Sequence, residues 1–196
     1  MTFTRTVIST TILALFSGVA AAQTTGSMVQ RDINQQQRIE NGLKSGALNT
    51  REAARLEREQ AQVERMESRA LKDGKLTDAE KARINKAQNR VSKDIYREKH
   101  DAQTGNPNSA SSRRMQADVQ RNINQQQRIE NGIQSGQLTN REVGKLERGQ
   151  ARVNQAEARA GRDGHVGPAE HRRIQSAENR QSRRIFNEKH DAQTRK

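Results

Sequence analysis

Twice in this chain a histidine stands directly before an aspartate, as His100-Asp101 and His190-Asp191, each inside the string Glu-Lys-His-Asp-Ala-Gln-Thr. Imidazole and carboxylate are donors that zinc or copper sites use. Neighbours in sequence do not share a helix face, however, so a metal would need two such ends to meet. Lys99 and His100 near a helix end also complement the negative end of the helix dipole, which is the simpler reading. His165 and His171 have Lys75 and Lys81 in the matching places of the first half, so a repeated metal site cannot depend on them. Nucleophilic and hydrolytic chemistry lacks its parts: there is no cysteine, no Gly-x-Ser-x-Gly elbow, no glycine-rich phosphate loop and no His-Glu-x-x-His helix. The expectation is a non-enzyme with no cofactor beyond a candidate divalent metal.

The elements that would position these residues come in two copies. Val29 to Thr104 recurs without a gap as Val119 to Thr194, with 45 of 76 aligned positions identical. A repeat sets the unit of folding and limits function to what one unit does twice. In the first copy, apolar residues at helical spacing draw three stripes: Ile33, Gln36, Ile39 and Leu43; Ala53, Leu56, Gln60, Val63 and Ala70; and Ile84, Gln88, Val91 and Ile95. The spacing predicts helices over 29–43, 50–71 and 78–100, joined by short connections that make neighbours antiparallel. Glutamines on the stripes weaken them. The expected fold is all-α, with two tandem three-helix hairpin bundles of coiled-coil character, spanning 23–104 and 119–196. The polar Gly105-Asn-Pro-Asn-Ser-Ala-Ser-Ser112 opens a flexible linker expected over 105–118, so the units should move independently.

The connections share one pattern. Leu71-Lys-Asp73-Gly74-Lys-Leu76-Thr77-Asp-Ala-Glu80 matches Leu43 to Glu52, and both recur around Gly136 and Gly164. A glycine closing one helix and a Thr-x-x-Glu capping box opening the next account for each preferred residue. The pattern also resembles the second half of an EF-hand loop, with degenerate loops here. The resemblance implies glycine, apolar and closing-carboxylate places at Gly74, Leu76 and Glu80, and calcium ligands at Asp73, Thr77 and Glu80, with Asp163 and Glu170 in the fourth loop. The family's first and third ligand places fall on Arg69 and Leu71, short of the six to eight oxygens calcium takes.

Residues 1–22 belong to neither copy. Arg5, the apolar run from Val7 and Ala20-Ala21-Ala22 read as a cleaved signal peptide, giving a periplasmic or secreted protein that is not integral to the membrane after cleavage. The chain is basic, with 36 Lys and Arg against 23 Asp and Glu and a net charge of +13. Such an excess suits an acidic partner. Arg51, Arg55, Arg58, Arg65 and Arg69, with Arg141, Lys145, Arg148 and Arg159, are the candidate anion-binding residues, although Glu57, Glu64 and Glu67 interleave with them and should cancel much of the field. Nothing supports sequence-specific nucleic-acid reading. The expected function is envelope stress or scaffold-type binding of anionic envelope components or proteins, as a monomer or homo-oligomer. The alternatives are divalent-metal (Ca, Zn or Cu) binding through the loops and His-Asp ends, and hydrophilin-like protection.

Overall fold

The computed structural model describes residues 16–192, with side chains described from 25 onward. Of the expected signal peptide, 1–15 lie outside the described residues. Six α-helices occur among the described residues: α1 Phe16–Ser45, α2 Thr50–Ala70, α3 Asp78–Lys99, α4 Ala110–Gln134, α5 Asn140–Ala160 and α6 Pro168–Lys189. The fold is all-α, and none of these helices is long and apolar enough to cross a membrane.

Local chemistry sets the boundaries. Gly46, Gly74, Gly136 and Gly164 have φ of 78°, 86°, 74° and 89°, the left-handed conformation that ends a helix and that a Cβ would strain. Asn49, Thr77 and Thr139 then open α2, α3 and α5 with reciprocal capping boxes to Glu52, Glu80 and Glu142. At α6, Glu170 accepts from the Gly167 backbone N–H at 2.9 Å and Pro168 occupies the first turn, so the box survives with only its carboxylate half made by a side chain.

The two copies do not form separate bundles. The most extensive helix contact is α2 with α5, followed by α1 with α4, both between copies; α3 lies against α1 and α2, and α6 against α4 and α5. The contacts are reciprocal. Arg51 Nη2 donates to the Asp163 carbonyl at 2.9 Å, while its counterpart Arg141 lies over Gly74, the counterpart of Gly164. At the centre Glu64 meets Asn154 and Arg65 meets Gln155, each position facing its own equivalent 90 residues on. Such self-matching is the signature of an isologous twofold interface, here within one chain. One apolar cluster accordingly runs from Met28 to Ile185 through both copies.

The flexible linker over 105–118 is corrected by the same packing. α4 begins at Ala110, with Ser109 accepting from the Ser112 N–H at 3.1 Å as its cap. Ser111, Ser112, Met115 and Asp118 are buried. Gly105 N donates to Gly46 O at 2.8 Å, and Gln116 Nε2 to Pro107 O at 2.9 Å, which ties the remaining spacer to the first helical connection. Its serines cap and bury where composition alone reads them as spacer.

Small residues permit the close approach of α2 and α5, and they are used asymmetrically. Leu71 fits against Gly144, whose added Cβ would lie 3.0 Å from that of Leu71. The twofold equivalents, Gly161 and Ala54, reverse the sizes, and a Cβ on Gly161 would sit 2.7 Å from Ala54 Cβ and Met115 Cε and 3.1 Å from Thr50 O. Gly161→Leu, which copies the residue of the first repeat, should therefore destabilise the protein by about 1–3 kcal/mol through overpacking. A urea midpoint equal to that of the parent chain would contradict this packing.

Candidate functional site

The second and fourth loops place their candidate ligands in local hydrogen bonds. Asp73 and Asp163 accept from the backbone N–H groups of Lys75 and His165 at 2.9 Å each. Glu80 accepts from Thr77 N and Oγ1 at 3.0 and 2.6 Å, which holds its carboxyl below the usual range. The His-Asp ends do not bring imidazoles to a metal-like group: the Nδ1 atoms of His100 and His190 lie 2.7 Å from the Tyr96 and Phe186 carbonyls, and each ring stacks on that aromatic. A nitrogen facing a carbonyl carries the hydrogen and donates it. The aspartates behave differently. Asp101 converges with Glu52 and Glu98, and Asp191 with Glu142 and Glu188, in two equivalent corners. Arg55 Nη1 stands 3.2 Å from Glu98, and Lys145 Nζ 3.2 Å from Glu188.

A larger acidic group lies in the interior, and sequence reasoning placed it on the surface. Asp32, Glu57, Glu64, Glu67, Glu147 and Glu157 are each at most 2% exposed, with Gln36, Gln60, Gln88, Gln126 and Gln150 among them. They lie on α1, α2, α4 and α5 where four helices meet between the copies, with Gln88 reaching in from α3. Glutamine amides on those stripes reach across to the acids: Gln36 Nε2 to Glu57 at 2.9 Å, Gln126 Nε2 to Glu147 at 3.1 Å, and Gln88 Nε2 to Asp32 and Glu67 at 2.9 and 3.1 Å. Burial pushes every carboxyl up. Asp32 and Glu57 rise to about 7 and Glu147 to about 8, while Glu64, Glu67 and Glu157 stand well above the ordinary range, raised further by the charges of neighbouring carboxylates. Toward α6, burial takes Asp118 to about 8 and Glu178 to about 7. Arg121 stands 3.1 Å from Glu178, and His171 Nδ1 3.0 Å from Asp118.

The sequence signal for this group was the glutamines themselves. A stripe that alternates Ile, Leu and Val with Gln at every second turn, facing Glu at the same depth on a neighbour, encodes a polar layer. Treating Glu57, Glu64 and Glu67 as partners of the adjacent arginines overlooked that Glu57 and Glu64 lie one position beside Leu56 and Val63, and that Glu67 itself continues the stripe between Val63 and Ala70.

Withdrawing acids inward changes the outside. Twelve of the 23 acidic side chains are buried, whereas no described Lys or Arg is, so the surface is more cationic than the net charge alone conveys. The anion candidates on α2 and α5 are partly committed: Arg51 to Asp163 O, Arg55 to Glu59 and Glu98, Arg65 to Gln155, Arg148 to Ser68 and Lys145 to Glu188. Arg58, Arg69, Arg141 and Arg159 are exposed. The more continuous stripe is on α3, where Arg83, Lys86, Arg90, Lys93 and Arg97 recur at intervals of three and four and are all exposed. Lys86, Arg90 and Lys93 enter no ion pair among the described residues. On α6 the equivalents are Arg173, Ser176, Arg180, Arg183 and Asn187.

Comparison with protein-family models, with curated proteins and with solved structures finds no match for this chain.

Proposed function

We propose that this protein is an exported, non-enzymatic binding module whose outer helices α3 and α6 hold anionic polymers of the cell envelope. The observation that carries the reading is the segregation of charge: the acids that would neutralise the helical surfaces are turned into the core, and the α3 cations form a stripe about 21 Å long at 1.5 Å per residue. Opposed to a line of phosphates, such a stripe releases condensed counterions, which yields affinity without a shaped pocket. Tyr96 and Phe186 are exposed, but each is stacked on a histidine, so bases gain no free aromatic platform. The continuous buried core favours a folded binding module over a hydrophilin-like protectant.

Long-chain polyphosphate is the probe for this reading. Its affinity should fall linearly in log–log form with salt, and Lys86→Gln/Arg90→Gln/Lys93→Gln should flatten that slope by about 2, at roughly 0.7 per neutralised contact on a flexible polyanion. Binding that is indifferent to salt, or equally tight in the triple variant, would sink the proposal.

A second reading, divalent-cation binding at the helix ends, is favoured by one observation: Glu52, Glu98 and Asp101, and equally Glu142, Glu188 and Asp191, gather carboxylate oxygens within 4.8 Å in both copies. Only the aspartates of the His-Asp pairs take part in this reading.

A further inference from the structure

We propose that Asp32, Glu67 and Glu147 form an internal binding site for one hard divalent cation, distinct from the helix-end corners and from the basic surface. Their carboxylate oxygens lie within 4.8 Å of one another, as ligands on opposite sides of a cation at about 2.1–2.5 Å must. The three side chains are 1%, 0% and 0% exposed. Each keeps one buried oxygen that no donor reaches: Asp32 Oδ2, Glu67 Oε2 and Glu147 Oε1.

Two amides border the group. Gln88 turns its nitrogen to Asp32 and Glu67, and Gln126 turns its nitrogen to Glu147 and Glu64. The Oε1 atom of each is fully buried and accepts nothing. No lysine, arginine or histidine pairs with Asp32, Glu67 or Glu147 among the described residues, so their orphaned oxygens lack a positive centre. Arg31, the cation that acts on Asp32, does so more weakly than burial and the surrounding hydrogen bonds. Unpaired buried charge is costly, and a cation bound to several of these oxygens would remove that cost.

The twofold mate of the site supplies a comparison inside the same molecule. There Asn122 stands in place of Asp32, and its Nδ2 donates to both oxygens of Glu157 at 2.9 Å, so Glu157 has no orphaned oxygen. One copy is thus closed by an amide, while the other carries a third carboxylate in the amide's place. An all-oxygen set selects a hard ion such as Ca2+, Mg2+ or Mn2+ over Zn2+ or Cu2+. On binding, the carboxyls release to solvent the protons that burial favours on them, so affinity rises with pH.

The full chain, stripped with chelator, is dialysed against Mn2+ and separately against Ca2+ at pH 8, and the retained metal is counted. The expected result is one ion per chain, a raised melting temperature and weaker retention at pH 5.5. Asp32→Asn should lower affinity about tenfold or more. Its folding is protected because asparagine already fills the equivalent place in the other copy. Asp101→Asn/Asp191→Asn should retain the ion. Three outcomes overturn the proposal: neither ion is retained; retention is unchanged in Asp32→Asn; or retention is lost only in the Asp101→Asn/Asp191→Asn chain, which would place the ion at the helix ends.

Discussion

Raising the pH from 5 to 9 in metal-free buffer should lower the melting temperature by about 10 °C, the reverse of the usual acid sensitivity of salt-bridged proteins. The carboxyls of Asp32, Glu57 and Glu178 rise to about 7 and those of Asp118 and Glu147 to about 8, against ordinary values of 3.8 for Asp and 4.5 for Glu. Folded protein therefore binds more protons than unfolded chain between about pH 4 and 8, and stability falls as pH rises through that window. Stability is full below the unfolded values and is lost once the folded groups must ionise. A three-unit shift at one site corresponds to about 4 kcal/mol. Taking that as the order of the net effect, with about 2–4 °C per kcal/mol for a chain of this size, gives the expected drop. Below about pH 4 the depressed carboxyl of Glu80 acts in the opposite sense, since its bonds to Thr77 are lost as pH falls. Thermal scans by circular dichroism at pH 5, 7 and 9 measure this, and Asp32→Asn should flatten the curve. A melting temperature higher at pH 9 than at pH 5 would refute the protonated-core account.

Separated at the spacer, the halves should fail alone and succeed together. Residues 23–104 and 106–196, prepared as two chains, should each show weak, non-cooperative helicity, and an equimolar mixture should recover a 1:1 complex with a cooperative transition. The reason is that the largest helix interface joins the copies rather than lying within either. Units with 30% hydrophobic residues overall bury too little on their own to offset chain entropy. Self-pairing is poorly matched. A homodimer of the first half sets Leu71 against Ala54 where the native chain has Gly144, and opposes Glu64 to itself; one of the second half sets Gly161 against Gly144 and leaves space. Native pairing joins Leu71 to Gly144, Gly161 to Ala54 and Glu64 to Asn154. Analytical ultracentrifugation with circular dichroism reads the result. A half that melts cooperatively as a monomer would show that the shared core is dispensable.

Local structure was legible because its causes are local. The helices predicted over 50–71 and 78–100 are found as Thr50–Ala70 and Asp78–Lys99, with glycine as the stop signal and Asn-x-x-Glu and Thr-x-x-Glu as the start signals. These signals depend on φ angles and on hydrogen bonds spanning three or four residues, which neighbouring residues fix without outside help. The first turns of α4, from Ala110, were read as linker because Ser109 as a cap and Ser111 as a buried hydroxyl look, in composition, like the serines of a spacer.

The interior site was hidden for a different reason. Whether Glu64 faces water or Asn154 depends on which second helix covers its face, and that helix begins about ninety residues away. The sequence by itself determined the duplicated helical units, their caps, the absence of familiar catalytic motifs and the basic balance. The tertiary structure alone decided that the two units share one core, that about half of the acids are buried and that the cations outside outnumber the acids left beside them. Periodicity assigns a residue to a face of its own helix, but only the packing of helices distant in sequence decides whether that face meets solvent or another carboxylate.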